Sequence, residues 1–316
     1  MWRLLALPPL PKEVLEQLLG DPRLEVVVPE SREQGAAEAL LPEVDLVLSD
    51  WTQAFHVADP GPRVAFVQVP RVGTDQIDLE ACSARGVPVS NCAGANSVAV
   101  AEWCLAATFA LLRQTVEGDA AVRRGEWPQT SLPAFELSGQ RVGVVGMGGV
   151  GRAVAQRYQA LGCDVAYWSR SKHDVPWAYR DLDDLLGWAQ LVVLVIALGD
   201  ETRGLVGADR LRLMSPQARL VSAGRGPVLD EPALAEALAA GRLAGAALDV
   251  FAVEPLPEES PLRAAPNLLL SPHLAGSTGQ AQLNILTQSR ANLHRVLDGE
   301  PVVDVVNGVP PEVRRR

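Results

Sequence analysis

Cysteine is scarce in this chain, with four residues in 316: Cys82, Cys92, Cys104 and Cys163. None forms a Cys-x-x-Cys pair and no cluster has zinc-ligand spacing. The sequence therefore offers neither a disulfide scaffold nor a metal site, and we expect free thiols in a reducing compartment. Lysine is scarcer still: apart from Lys12 and Lys172 the basic residues are arginine. The formal net charge is −10, which argues against nucleic acid or an anionic membrane surface as a partner. A long apolar run is missing too. Spanning a bilayer takes roughly 20 such residues; the nearest approach, 98–112, is interrupted by Glu102. The first residues, Met-Trp-Arg-Leu-Leu-Ala-Leu-Pro, lack the charged start and apolar stretch of a signal peptide. The expected location is the cytoplasm.

What is present is an ordinary globular balance, 48% hydrophobic and 21% charged, on a chain long enough for about two domains. Short runs rich in Val and Leu at 2–7, 24–28, 45–49, 64–69 and 87–90 suit parallel strands buried on both faces. Helix-like segments, 11–20, 31–40 and 75–85, lie between them, with Gly20 and Gly86 as stops. Residues 96–113 predict a long helix that is apolar on nearly every side, the kind buried in a core or at a subunit interface. A looser stretch, 117–137, carries Trp127. From Arg141 the alternation restarts, with strands expected at 141–146, 164–168, 191–196, 218–223, 244–248 and 267–270 and helices between most of them. A final amphipathic helix, 279–297, ends at Gly299 and is expected to return to the first domain. The fold class predicted is α/β: two Rossmann-like, doubly wound parallel-sheet domains. Residues 1–98 with 285–316 form a discontinuous substrate domain, and 99–284 a six-stranded dinucleotide domain.

Arg141-Val-Gly-Val-Val-Gly146-Met-Gly148-Gly-Val-Gly151 is a strand running into G-x-G-x-x-G and then into a helix. Gly146 permits the tight turn, Gly148 lets backbone amides approach a pyrophosphate, and Gly151 lets helix pack on strand. The helix N-terminus then faces the phosphates with its positive end. The next strand ends in Ser169-Arg170-Ser171-Lys172. A carboxylate usually stands there to accept the ribose hydroxyls of NAD. Hydroxyls and cations suit the 2′-phosphate of NADP instead, so NADPH is the expected cofactor, with NAD as the alternative.

Three further segments fall at expected strand ends: Ser222-Ala-Gly-Arg225-Gly-Pro-Val-Leu-Asp-Glu, Asp249-Val-Phe-Ala-Val-Glu254-Pro and Ser271-Pro-His273. Doubly wound sheets bind ligands at those ends. A His beside a carboxylate is a tuned acid–base pair, and an Arg offers a fork for a substrate carboxylate. By spacing alone, Arg225 and Glu254 read equally well as structural ion-pair partners. His56, His173 and His294 read as structural or solvated.

In order, Gly73-Thr-Asp-Gln-Ile-Asp78, Asn91-Cys-Ala-Gly-Ala-Asn-Ser-Val-Ala-Val-Ala-Glu102, the glycine loop, Arg225-Gly226, Asp249…Glu254-Pro255 and Pro272-His273 resemble the D-isomer-specific 2-hydroxyacid dehydrogenase family over about 63–307. Within it the look is nearest to glyoxylate/hydroxypyruvate reductases. The resemblance implies that His273 is the general acid in reduction, that Glu254 keeps it protonated, and that Arg225 binds the substrate carboxylate and polarises the carbonyl. It implies a cofactor set of Gly146, Met147, Gly148, Gly149, Val150, Gly151, Ser169, Arg170, Ser171, Ala197, Ala223, Gly224, Asp249, His273 and Gly276, with Asp249 on the nicotinamide carboxamide. Val72 and Gly73 would offer amides to the substrate carboxylate. Trp51 and Arg71 are candidate pocket residues, each as readily a packing or surface-paired side chain. Departures from the family pattern are Ser222, where Asn is usual, Ala197, where Pro is usual, and Arg71, where a small residue is common. Glu254 argues against formate dehydrogenase chemistry, which uses an amide there.

The expected reaction is NADPH-dependent reduction of glyoxylate or hydroxypyruvate to the D-2-hydroxy acid, with the domains hinging closed and the chain a homodimer. Two other readings stand: an NAD-linked phosphoglycerate dehydrogenase, which would want an acid at Ser169, and a non-catalytic dinucleotide-sensing protein of the same architecture.

Overall fold

The computed structural model describes residues 1–52 and 55–316. The chain divides into two compact units, Met1–Ala95 with Gly279–Arg316, and Asn96–Thr278. These divisions fall nearer the helix starts than the 98/99 and 284/285 boundaries expected from sequence.

The first unit has strands β1 (Trp2–Ala6), β2 (Leu24–Val27), β3 (Leu46–Leu48), β4 (Phe66–Gln68) and β5 (Val89–Ser90), with helices α1 (Lys12–Leu19), α2 (Gln34–Glu38) and α3 (Leu79–Ala84). They form a five-stranded sheet in the order β2-β1-β3-β4-β5, with every pairing parallel. Both faces are covered, as the continuous apolar runs require. Leu5, Val47, Val67 and Val89 pack on one side, and Leu4, Leu46, Leu48 and Phe66 on the other. α1 ends where Gly20, at φ 62°, donates its amide to the Glu16 carbonyl. That left-handed stop needs a residue without a Cβ penalty.

The second unit opens with α4 (Ser97–Arg113) and α5 (Thr115–Arg123), followed by β6 (Arg141–Val145), α6 (Gly149–Ala160), β7 (Asp164–Trp168) and β8 (Ala178–Tyr179). It continues through α7 (Leu182–Trp188), β9 (Leu191–Leu194), α8 (Ala208–Leu211), β10 (Arg219–Ser222), α9 (Glu231–Ala239), β11 (Gly245–Leu248) and β12 (Leu268–Leu270). The sheet has seven parallel strands, not the six expected, in the order β12-β11-β10-β9-β6-β7-β8. The extra strand, β8, is two residues long and carries no apolar run to announce it. α5 also departs from expectation, since 117–137 reads as loose. Gly118 weakens the helical signal, while Ala121 is buried and supports the turn. α4 buries Ala101, Cys104, Thr108, Leu111 and Leu112, and packs on α6, β10 and β11.

α10 (Gly279–Asp298) belongs to the first unit. Leu293 and Val296 join the core there, and the buried Asn292 amide donates to Gln68 Oε1 at 2.9 Å on β4. The four cysteines are buried and free. Burial pushes the Cys82 thiol up to about 12 and the Cys163 thiol up to about 11, so neither is a poised thiolate. Among the described residues, no helix is long and apolar enough to cross a membrane.

Candidate active site

β6 lies at the centre of the second sheet, between β9 and β7. The strand order reverses there, which makes the carboxyl end of β6 the crevice of a doubly wound sheet. Gly146 leaves β6 at φ 104°, and a Cβ on it would lie 2.8 Å from the backbone of Ile196, just beyond β9. A Cβ on Gly151 would lie 1.9 Å from the Gly146 carbonyl oxygen, so turn and helix touch through bare backbone. Gly148 differs: nothing stands within 4 Å of where its Cβ would be. It precedes α6, whose N-terminus no side chain caps. Open space over uncapped amides and a positive dipole end is a cradle for an anion, and the pyrophosphate of a dinucleotide fits that description. Met147 is buried, so it supports the loop from within.

At the end of β7, Ser169 is buried and its hydroxyl donates to the Ser171 carbonyl at 2.5 Å. The side chain therefore shapes the turn. Arg170 and Ser171 are exposed. The Arg170 guanidinium stands beside the Gly199 loop, with Nη1 3.9 Å from a Cβ built there. Lys172 lies over the Tyr179 ring, 4.9 Å from its centroid. Ala197 is exposed on the loop after β9, and its carbonyl accepts the Thr202 hydroxyl at 2.8 Å.

The chemistry-bearing side chains leave β10, β11 and β12, which are neighbours in the sheet. Ala223 and Gly224 follow β10, and a Cβ on Gly224 would lie 2.7 Å from the Ile196 carbonyl oxygen. The glycine loop and the Arg225 turn thus close on opposite sides of one residue, Ile196. Arg225 is half-buried, with Nη1 donating to the Gly224 carbonyl at 2.9 Å. Beyond β11, Glu254 Oε2 meets His273 Nδ1 at 2.7 Å, and Glu254 Oε1 accepts the Phe251 amide at 2.9 Å. Among the described residues the imidazole is hydrogen-bonded through Nδ1. His273 has φ 52°, and its amide donates to the Asp249 carbonyl at 2.8 Å.

Asp249 is buried. Its carboxylate accepts the Ser271 hydroxyl, the Leu274 amide at 2.9 Å and the Ala275 amide at 2.8 Å. A carboxylate has about four acceptor positions, and three are used in holding the turn that carries His273. Gly276 closes that turn against Asn96, where a Cβ would lie 2.6 Å from the amide nitrogen.

The remaining candidates sit on the first unit. Trp51, 40% exposed, follows β3. Arg71, Val72 and Gly73 follow β4 and are half-buried. The Val72 carbonyl accepts the Asn91 side-chain amide at 2.6 Å, and the Arg71 carbonyl accepts the Cys92 amide at 2.9 Å. The His173 backbone carbonyl accepts the Tyr167 hydroxyl, and His294 Nε2 lies 3.1 Å from the Leu19 carbonyl.

Residues 105–275 match the model of the D-isomer specific 2-hydroxyacid dehydrogenase NAD-binding domain. The chain belongs to that family. It is an NAD(P)-dependent oxidoreductase, and residues 105–275 cover the β6 glycine loop and the His273–Glu254 pair. The dehydrogenase is 34% identical to a glyoxylate reductase of Thermofilum pendens, over 96% of both chains. It is 36% identical to a D-3-phosphoglycerate dehydrogenase of Escherichia coli over 75% of this chain and 59% of that one. In structure it resembles an NADPH-dependent glyoxylate/hydroxypyruvate reductase of Sinorhizobium meliloti, solved with NADP and malonate, at a TM-score of 0.85 and 27% identity over 99% of both chains.

Sequence reading singled out the triad but passed over Ile196 and Glu231. Glu231 closes the segment that begins at Ser222 and Ile196 ends an expected strand, but the contacts either residue makes emerge only from the tertiary structure.

Proposed function

We propose that the enzyme reduces a small 2-keto acid, glyoxylate or hydroxypyruvate, to the D-2-hydroxy acid with NADPH as the preferred cofactor. The observation that carries this reading is the 2.7 Å contact between Glu254 and His273 Nδ1, on strand ends adjoining the Arg225 turn. A carboxylate on Nδ1 orients the ring, so that Nε2 is the atom that can give a proton to the forming alkoxide. Arg225 binds the substrate carboxylate through its fork and polarises the carbonyl. Within the first unit, the backbone amides of Val72 and Gly73 are our candidates for contact with a substrate carboxylate, and Trp51 and Arg71 our candidate substrate residues. When bound, the nicotinamide supplies the hydride. Gly148, Gly149 and Val150 would hold its pyrophosphate, and the one acceptor position left on Asp249 would take the carboxamide. Arg170 with Ser171 would take the ribose 2′-phosphate. Ser169 is assigned to shaping that turn, because its hydroxyl is spent on the Ser171 carbonyl.

The test is a panel of 2-keto acids against NADPH and NADH, read at the nicotinamide absorbance. Glyoxylate and hydroxypyruvate should lead. Turnover confined to a phosphorylated substrate with NADH would favour the phosphoglycerate reading, and no turnover with any keto acid would favour a dinucleotide sensor.

We assign a homodimer to α4, α5 and the following arm. One side of α4 is buried within its own unit, but Val98, Phe109, Val116, Val122, Trp127 and Phe135 are exposed, Trp127 by 78%. Apolar surface of this kind is what an isologous interface covers. Light scattering at micromolar concentration should return twice the 33.7 kDa chain mass. A monomer there would rule the interface out.

A further inference from the structure

The aim of Glu254 depends on the backbone it hangs from. One of its oxygens holds His273, and the other accepts the Phe251 amide. The position of residues 251–252 therefore sets how the carboxylate meets the imidazole. Two contacts from the segment after Arg225 hold that backbone. A Cβ on Gly226 would lie 1.9 Å from the Phe251 carbonyl carbon and 2.3 Å from the Ala252 nitrogen, so the two turns touch backbone to backbone. Next along the chain, Glu231 Oε1 accepts the Ala252 amide at 2.5 Å.

Glu231 stands in the first turn of α9, where a carboxylate ordinarily serves the helix itself. That service is already supplied: Asp230 is the N-cap, and its side chain accepts the Ala233 amide at 3.0 Å. Glu231 instead spends an oxygen on a tertiary amide. Burial, with the nearby Glu254 carboxylate, pushes its carboxyl above the ordinary range. Two other elements pack on α9. α8 brings Asp209 and Arg210, and the turn Pro261–Ala264 brings Arg263. Arg210 pairs with Asp183, Arg212, just past α8, pairs with Asp209, and Arg263 donates to the Leu256 and Pro257 carbonyls. The Glu254 carboxylate bears on Glu231 as a like charge.

We propose that Glu231 is a positioning residue for the His273–Glu254 pair, clamping the Ala252 amide so that Glu254 stays aimed at Nδ1. The inference rests on the reading of His273 as the proton donor. Misplacement of a catalytic group by about 1 Å can slow chemistry by about 10²-fold.

The experiment compares Glu231→Ala, Glu231→Gln and His273→Asn in the full-length enzyme, recording kcat and KM for keto-acid reduction across pH. Glu231→Ala should lower kcat by about tenfold, leave both KM values near wild type, and move the falling alkaline limb toward acid. Glu231→Gln keeps a carbonyl for the Ala252 amide and should restore kcat and the limb. If Glu231→Ala does not fold, Glu231→Asp, one methylene short of the amide, carries the same expectation. Wild-type kcat in Glu231→Ala, a lower kcat with an unmoved limb, or a Gln variant as impaired as the Ala variant would each overturn the clamp. Full activity in His273→Asn would overturn the acid assignment and the clamp with it. An inactive His273→Asn beside a wild-type Glu231→Ala removes the clamp alone.

Discussion

His273→Asn is expected to lose keto-acid reduction by about 10²–10⁴-fold in kcat while nicotinamide dinucleotide binding stays close to wild type. The pyrophosphate cradle is backbone at Gly148 and the N-terminus of α6, and it owes nothing to the imidazole. On the proposed reading the imidazole gives the proton, and asparagine can hold a hydrogen bond but cannot release a proton near neutral pH. Glu254→Gln should do less damage. It removes the negative charge 2.7 Å from Nδ1, and the pH profile of reduction is expected to move toward acid. Steady-state rates across pH, with dinucleotide binding followed by fluorescence titration, check both variants. Near wild-type turnover in His273→Asn would show that another group donates the proton. An alkaline limb that stays in place in Glu254→Gln would show that the contact is structural.

NADPH is expected to exceed NADH by at least about tenfold in kcat/KM. Arg170 is exposed beyond β7, and Ser171 next to it is also exposed. The segment that follows β7, Ser169-Arg170-Ser171-Lys172, carries no carboxylate, which an NAD site usually has at this strand end. A charge-assisted hydrogen bond is worth roughly 1.5–3 kcal/mol, or about 10–150-fold in affinity. Arg170→Ala should therefore erase most of the preference, chiefly through a higher KM for NADPH. Ser169→Asp should turn the enzyme toward NADH, though at some cost in stability, because the Ser169 hydroxyl sits in a buried bond to the Ser171 carbonyl. Equal efficiency with both cofactors in the wild type would mean that Arg170 serves only solvent.

Much of this molecule is legible in residue order because its strands are short apolar runs between breakers. β7, at Asp164–Trp168, falls where the pattern places it, and α10 runs to Asp298, one residue past its expected end. The glycine loop is equally plain, since turn, approach and packing each demand a missing side chain at a set spacing. β8 and α5 escape this reading. A two-residue edge strand has no period, and a helix interrupted by glycine draws its stability from the face it buries.

The proposed catalytic residues divide in the same way. Spacing alone leaves Arg225 and Glu254 open to a structural reading, and motif order, through the family resemblance, is what points to Arg225, Glu254 and His273. Which groups hold them is a different matter. The burial of Asp249 under three donors, the closure of two turns on Ile196 and the reach of Glu231 to Ala252 all join residues that are distant in sequence. Such contacts depend on strand order and on distances of a few tenths of an ångström. Those quantities exist only once β9, β10, β11 and β12 lie side by side.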